Sequence, residues 1–211
     1  MKYLSAPLLE ELYSQTETNI SKAIKEWQLL SNTQMITQPD PNQWSAAQCL
    51  EHLNSYGRYY LPAIEKAISG SMNNKPAEYF KSSWLGNYFY RSMLPQENGQ
   101  LKNKMRSPRN HQPGIQLNSV EVLNEFISQL ETLGRLLTEA RNIDLNKARV
   151  PISISPFIKL KLGDVFLFLI AHINRHILQA EKALNITTTN KGTIASPAYH
   201  SILKNSVVFI L

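Results

Sequence analysis

Two histidines four residues apart, His172 and His176, stand in the long apolar segment 160–184. Apolar residues recur there at Leu162, Val165, Phe166, Leu169, Ile173, Ile177, Ala180 and Leu184, which is helical spacing. Residues four apart on a helix lie one above the other, so both imidazoles share a face with Val165 and Leu169 and point into the core. Imidazole nitrogens in a dry core are costly unless something satisfies them. A bound metal would do so, because neutral imidazole is the commonest protein metal ligand. Hydrogen bonds to neighbouring core side chains would also do so, and the spacing alone leaves both open. A third histidine, His52, falls on the inward stripe of another amphipathic segment, with Cys49, Leu53, Tyr56, Tyr60, Ala63, Ile64 and Ala67. Packing alone rarely calls for three inward histidines.

The elements that must position them are read from the same periodicity. A first helix is predicted from Leu8 to about Ser31. A polar linker with Gln-Pro-Asp-Pro at residues 38–41 then forbids helix. The His52 helix runs from about Ala46 to Ser69, opened by Ser45 with Gln48 three residues on, a capping box, and stapled by Trp44. Pro62 lies inside it and predicts a kink or local break. Residues 71–117 form a long connection, aromatic in its first half, with a short helix expected near residues 82–93. We expect it to act as a flap, with Trp84, Tyr88 and Phe89 packed over one end of the molecule and shaping a pocket mouth. Asn118 with Glu121 opens a third long helix to about Ala140. A linker, residues 144–156, leads to the His172 helix, with Ser155-Pro156-Phe157 beginning its first turn and Gly163 a discontinuity. Four long amphipathic helices with one long crossover, between the second and third, predict an all-α four-helix bundle over residues 1–186. Residues 187–211 form a C-terminal extension of unassigned role.

Composition agrees. The 211 residues are enough for one domain with a real core. The single cysteine, Cys49, excludes an internal disulfide and fits a reducing cytoplasm. No stretch approaches a membrane span. The net charge of +6 suits either solubility or a polyanionic partner.

Three features now coincide: Trp44-Ser45 leading to His52, His172-Ile-Asn-Arg-His176 followed by Gln179, and an aromatic crossover ending in Lys-Met-Arg-Ser-Pro at residues 104–108. In these the chain resembles the DinB-like family of four-helix bundles, which includes the YfiT-like group assigned to metal-dependent hydrolysis. The resemblance covers roughly residues 8–185. It implies a divalent metal, zinc or nickel, held by one histidine from the second helix and two from the fourth, here His52, His172 and His176. It also implies hydrolase or thiol-group transferase chemistry, the latter on low-molecular-weight thiols. Three histidines leave a fourth position for water or substrate, the arrangement of catalytic zinc. Since only neutral imidazole binds, the solution value for histidine puts metal release below about pH 6.

Other residues are weighed beside these. Cys49, close to His52 on its face, reads as a small buried apolar residue, with a ligand or nucleophile as the alternative. Gln179 either orients a bound water or bonds along its own helix. Tyr56 and Tyr60 read as pocket wall with hydroxyls available to a substrate. Arg175 falls on a different face and reads as a salt-bridge partner. His111 and His200, in non-helical context, read as solvated. Competing functions are a non-catalytic bundle that binds a small molecule or partner protein, and a nucleic-acid binder using the basic segment 102–109. The basic residues are too few and the aromatics too poorly spaced for the last, so no nucleic acid and no membrane is expected. A homodimer is left open.

Overall fold

The long amphipathic segments fold as helices, and each packs against two of the others. The computed structural model describes residues 1–95 and 106–184. Its α-helices are α1 (Ser5–Lys22), α2 (Asn32–Ile36), α3 (Ala46–Ser69), α4 (Trp84–Met93), α5 (Ser119–Glu139) and α6 (Leu162–Ala183). Among the long ones α1 and α3 each contact both α5 and α6. The protein is therefore mostly helical, as the periodicity requires. Two short antiparallel sheets, β1 (Lys2–Leu4) with β2 (Tyr79–Lys81) and β3 (Arg149–Ile152) with β4 (Ser155–Lys161), complete the described fold. Residues 187–211 lie outside the described residues, as does His200.

The helix starts follow their caps. Ser45 Oγ accepts from the Gln48 amide while the Gln48 side chain accepts from the Ser45 amide. Ser31 and Gln34 repeat this reciprocal arrangement at α2, inside the stretch expected as linker. The first helix ends earlier than its apolar pattern suggests. After Lys22 it widens into a π-helical turn, Ala23–Trp27, which carries Trp27 into the core beside Phe126. Pro62 does not break α3, which is continuous through it. Pro62 and Arg58, whose carbonyl the proline cannot serve, are both on the exposed side, so no buried acceptor is left without a partner there.

Two expectations fail where side-chain spacing misleads. Ser155-Pro156-Phe157 does not begin a helical turn. It opens β4, which pairs Val150 with Leu160 and Arg149 with Lys161, and α6 starts directly after it at Leu162. Val150 and Ile152, two apart and both buried in β3, carry the strand period, while Ile154 falls in the turn and is exposed. Trp84 and Tyr88 do not pack over the helices either, being 82% and 59% exposed. The face that α4 buries against α6 carries Gly86, Tyr90 and Met93. Phe80, just before α4, is in β2 and fully buried. Phe89 alone of the three reaches inward, with its ring 6.1 Å from that of Phe168.

The joint between α4 and α6 is polar at its centre. Asp164 is fully buried and its carboxylate accepts from Ser82 Oγ at 2.6 Å, Ser83 Oγ at 2.6 Å and the Ser83 amide at 3.1 Å. Gly86 and Gly163 permit the approach: a Cβ on Gly86 would meet Asp164, and one on Gly163 would lie 2.7 Å from the Phe80 ring. Asp164→Ala is expected to lower stability by about 2–4 kcal/mol, because it orphans several buried donors. Thermal denaturation of the variant checks this.

Candidate metal centre

The three histidines meet between α3 and α6. His52 lies two turns into α3, and His172 and His176 lie at and just past the middle of α6. All three are buried. One nitrogen of each lies within 4.8 Å of those of the other two. Ring centroids are 5.0 Å apart for His52 and His172, 4.6 Å for His52 and His176, and 4.6 Å for His172 and His176. Neighbouring aromatics hold the rings: Trp44 at 4.9 Å from His52 and 5.9 Å from His176, Phe168 stacked on His172 at 5.6 Å, and Tyr56 at 4.4 Å from His172.

Hydrogen bonds fix the orientation of His52. Its Nδ1 is 2.7 Å from the carbonyl oxygen of His111. A carbonyl only accepts, so the proton is on Nδ1 and Nε2 carries the lone pair. That lone pair faces His172 Nε2 at 3.1 Å. A histidine that donates one N–H to a backbone carbonyl presents the other nitrogen in the orientation a metal requires. Meanwhile His172 Nδ1 and His176 Nδ1 are buried with no hydrogen-bond partner among the described residues. Hydrogen bonding therefore accounts for only part of the cluster. A set of neutral nitrogen donors at this separation suits zinc or nickel, and the triad could hold a metal ion.

Electrostatics keep the donors neutral. Burial pushes His52 down to about 4 and His176 down to about 3, with neighbouring charges adding to the effect at His176, Arg175 among them. Burial, then His176, His52 and Arg175, hold His172 well below the usual histidine range. Neutral imidazole is the form that ligates a metal.

His111 is the residue sequence reasoning misplaced. It is 3% exposed rather than solvated, because its ring stacks on Tyr56 at 3.9 Å. Ser55 Oγ donates to the His52 carbonyl at 2.7 Å, so at 2.9 Å it accepts from His111 Nδ1. Its contribution to His52 comes through a backbone oxygen, which no side-chain pattern reveals. His111→Ala is expected to weaken metal binding by about 10–100-fold, the range for partners that orient a ligand. The ring holds that carbonyl in place. A competition titration with a chromophoric chelator measures it.

The cluster forms the floor of a cavity of about 820 Å³. Trp44, Tyr56, Met93, Ser107, Arg175 and Gln179 line it with the triad, and Ser107 Oγ lies 3.4 Å from His52 Nδ1. Arg175 thus shares this wall, three residues from His172 and on its side of α6. Tyr56 keeps its proton, since burial raises its hydroxyl to about 12. Tyr60 is turned elsewhere, its hydroxyl accepting from the Ser153 amide at 3.2 Å. Cys49 is fully buried in apolar surroundings that push its thiol up, which leaves it an unreactive core residue. No described helix is long and apolar enough to cross a membrane.

A mostly helical protein with a buried three-histidine cluster, compatible with a metal site, is the class these observations define. The chain matches the sequence profile of the DinB superfamily over residues 15–180 and belongs to that family. No curated protein and no solved structure gives a significant match to the chain.

Proposed function

We propose that the protein is a metal-dependent enzyme, a hydrolase or thiol-group transferase, in which His52, His172 and His176 hold one zinc or nickel ion. In this reading the four long helices form a four-helix bundle, a single domain with the centre in its core. The observation that carries it is the convergence of three buried, neutral imidazoles on the floor of a cavity large enough for a small molecule. When bound, such a metal supplies Lewis-acid chemistry, polarising a substrate or stabilising hydroxide or thiolate near neutral pH.

The chain's own residues have definable parts. The His111 carbonyl holds the proton on His52 Nδ1 and so keeps Nε2 available. Trp44, Phe168 and Tyr56 pack around the imidazoles and help to shield them from water. Tyr56 Oη, protonated at neutral pH, is a hydrogen-bond donor in the wall. Gln179 lines the same wall beside His176, where it can orient a ligand through its amide. The substrate is a small molecule, with low-molecular-weight thiols the first class to test, and nucleic acid is not a partner.

The experiment compares chelator-stripped protein with protein reloaded with zinc or nickel. Both are assayed on small amides and esters, and on low-molecular-weight thiols paired with an electrophile. Turnover that disappears on stripping and returns with metal is expected. Metal-bound protein that binds these molecules without turning any over would instead make it a non-catalytic binding protein.

A further inference from the structure

The charged side chains among the described residues that line the cavity, histidines apart, are all cationic. Arg175 is 7% exposed and lines the cavity close enough to His172 and His176 to act on both rings. Arg106 and Lys182 line the same cavity and are exposed. Among the described residues that line it there is no Asp or Glu. Three neutral imidazoles add no negative charge, so the described lining carries only positive side-chain charge. With a divalent ion on the triad the excess would grow, because ligation by neutral imidazoles cancels none of the ion's charge.

We propose that the cavity takes a small organic anion, bound by its carboxylate or phosphate group against Arg175, with Arg106 and Lys182 drawing it in from the mouth. Arginine suits this task because its planar guanidinium presents paired donors that match either oxyanion. Burial strengthens such a contact, since a charge-assisted hydrogen bond shielded from water is worth more than an exposed one. The exposed pair, Arg106 and Lys182, chiefly accelerates and orients approach. Met93, Trp44 and Tyr56 offer apolar surface for the rest of the molecule. A ligand anchored by its anionic end at Arg175 would place its remaining atoms beside the triad. The proposal names the substrate class for the centre described above and rests on that reading.

The test measures binding of butyrate, inorganic phosphate and the neutral isostere butyramide by ligand-observed NMR. It uses the full chain, both stripped of metal and loaded with one equivalent of zinc. At least one of the two anions is expected to bind about tenfold or more tightly than butyramide, the scale of one charge-assisted hydrogen bond. The preference should hold in both forms. Whichever anion wins identifies the head group. Arg175→Gln is expected to abolish the preference. Should that variant fail to fold, the double variant Arg106→Ala/Lys182→Ala, both at exposed positions, is expected to weaken anion binding several-fold and leave butyramide unchanged. Equal binding of anions and butyramide would overturn the proposal, as would a preference seen only with zinc bound, which would belong to the metal and not to the wall. Failure of the metal reading shows separately: the chain would take up no zinc while the anion preference of the stripped protein persisted.

Discussion

Alanine at His172 is expected to lower zinc or nickel affinity by at least about 100-fold, above the 10–100-fold typical of groups that merely orient a ligand. His52→Ala and His176→Ala should do the same. His172 has its Nε2 3.1 Å from that of His52 and its ring enclosed by Tyr56 and Phe168. A protein that binds metal through three side chains has no substitute for any one of them, and the described residues provide no other such cluster. The fold is expected to survive. The long helices pack through an apolar core that extends far beyond the centre, and removing the His172 ring also removes a buried nitrogen without a partner. Far-UV circular dichroism would then be unchanged while metal content collapses. Retained metal in any of the three variants would place the ion elsewhere.

Acid should destabilise the metal-free protein steeply. Folded His52 and His176 titrate near 4 and 3, and His172 well below 6.5, whereas the unfolded chain takes up these protons near pH 6.5. Between those values the unfolded state binds more protons, so stability is full above about pH 6.5 and falls as the pH drops. Each group contributes up to about 1.4 kcal/mol per pH unit in that window. Three together amount to several kcal/mol by pH 5, a large share of a domain's stability. Thermal melts of stripped protein at pH 7 and pH 5 are expected to differ by more than about 10 °C, with zinc protecting at pH 5. Superimposable melts would show that the imidazoles are not buried and neutral. The same burial places direct proton competition for the metal below the pH of about 6 that free histidine implies, so the folded protein should retain its ion at pH 5.5.

The features legible in the sequence were those that side-chain type and helical period encode. Ser45 and Gln48 marked the start of α3, and the spacing of His172 and His176 put both on one inward face. What escaped was carried by other means. The His111 carbonyl orients His52, yet any residue has a carbonyl, and only the ring's stacking on Tyr56 explains why this one is buried there. Arg175 reads as apart from the ligands because, as the sequence neighbour of His176, it falls on a different face. Being three residues from His172, it still reaches the same cavity. The β3–β4 hairpin is hard to read because its period-two signal, Val150 and Ile152, is short and abuts a much longer helical pattern. Trp84 and Tyr88 read as inward because aromatic residues four apart resemble a buried stripe. The smaller Gly86, with Tyr90 and Met93, faces α6 instead, where Asp164 demands a close approach.

The most direct test of the centre is a titration of chelator-stripped, full-length protein with zinc in competition with a chromophoric chelator, run in parallel on His52→Ala. Uptake of one ion per chain by the parent protein, and none at the same concentrations by the variant, is the predicted result. No uptake by the parent, or uptake that His52→Ala leaves unchanged, would contradict the assignment of His52, His172 and His176 as a metal centre.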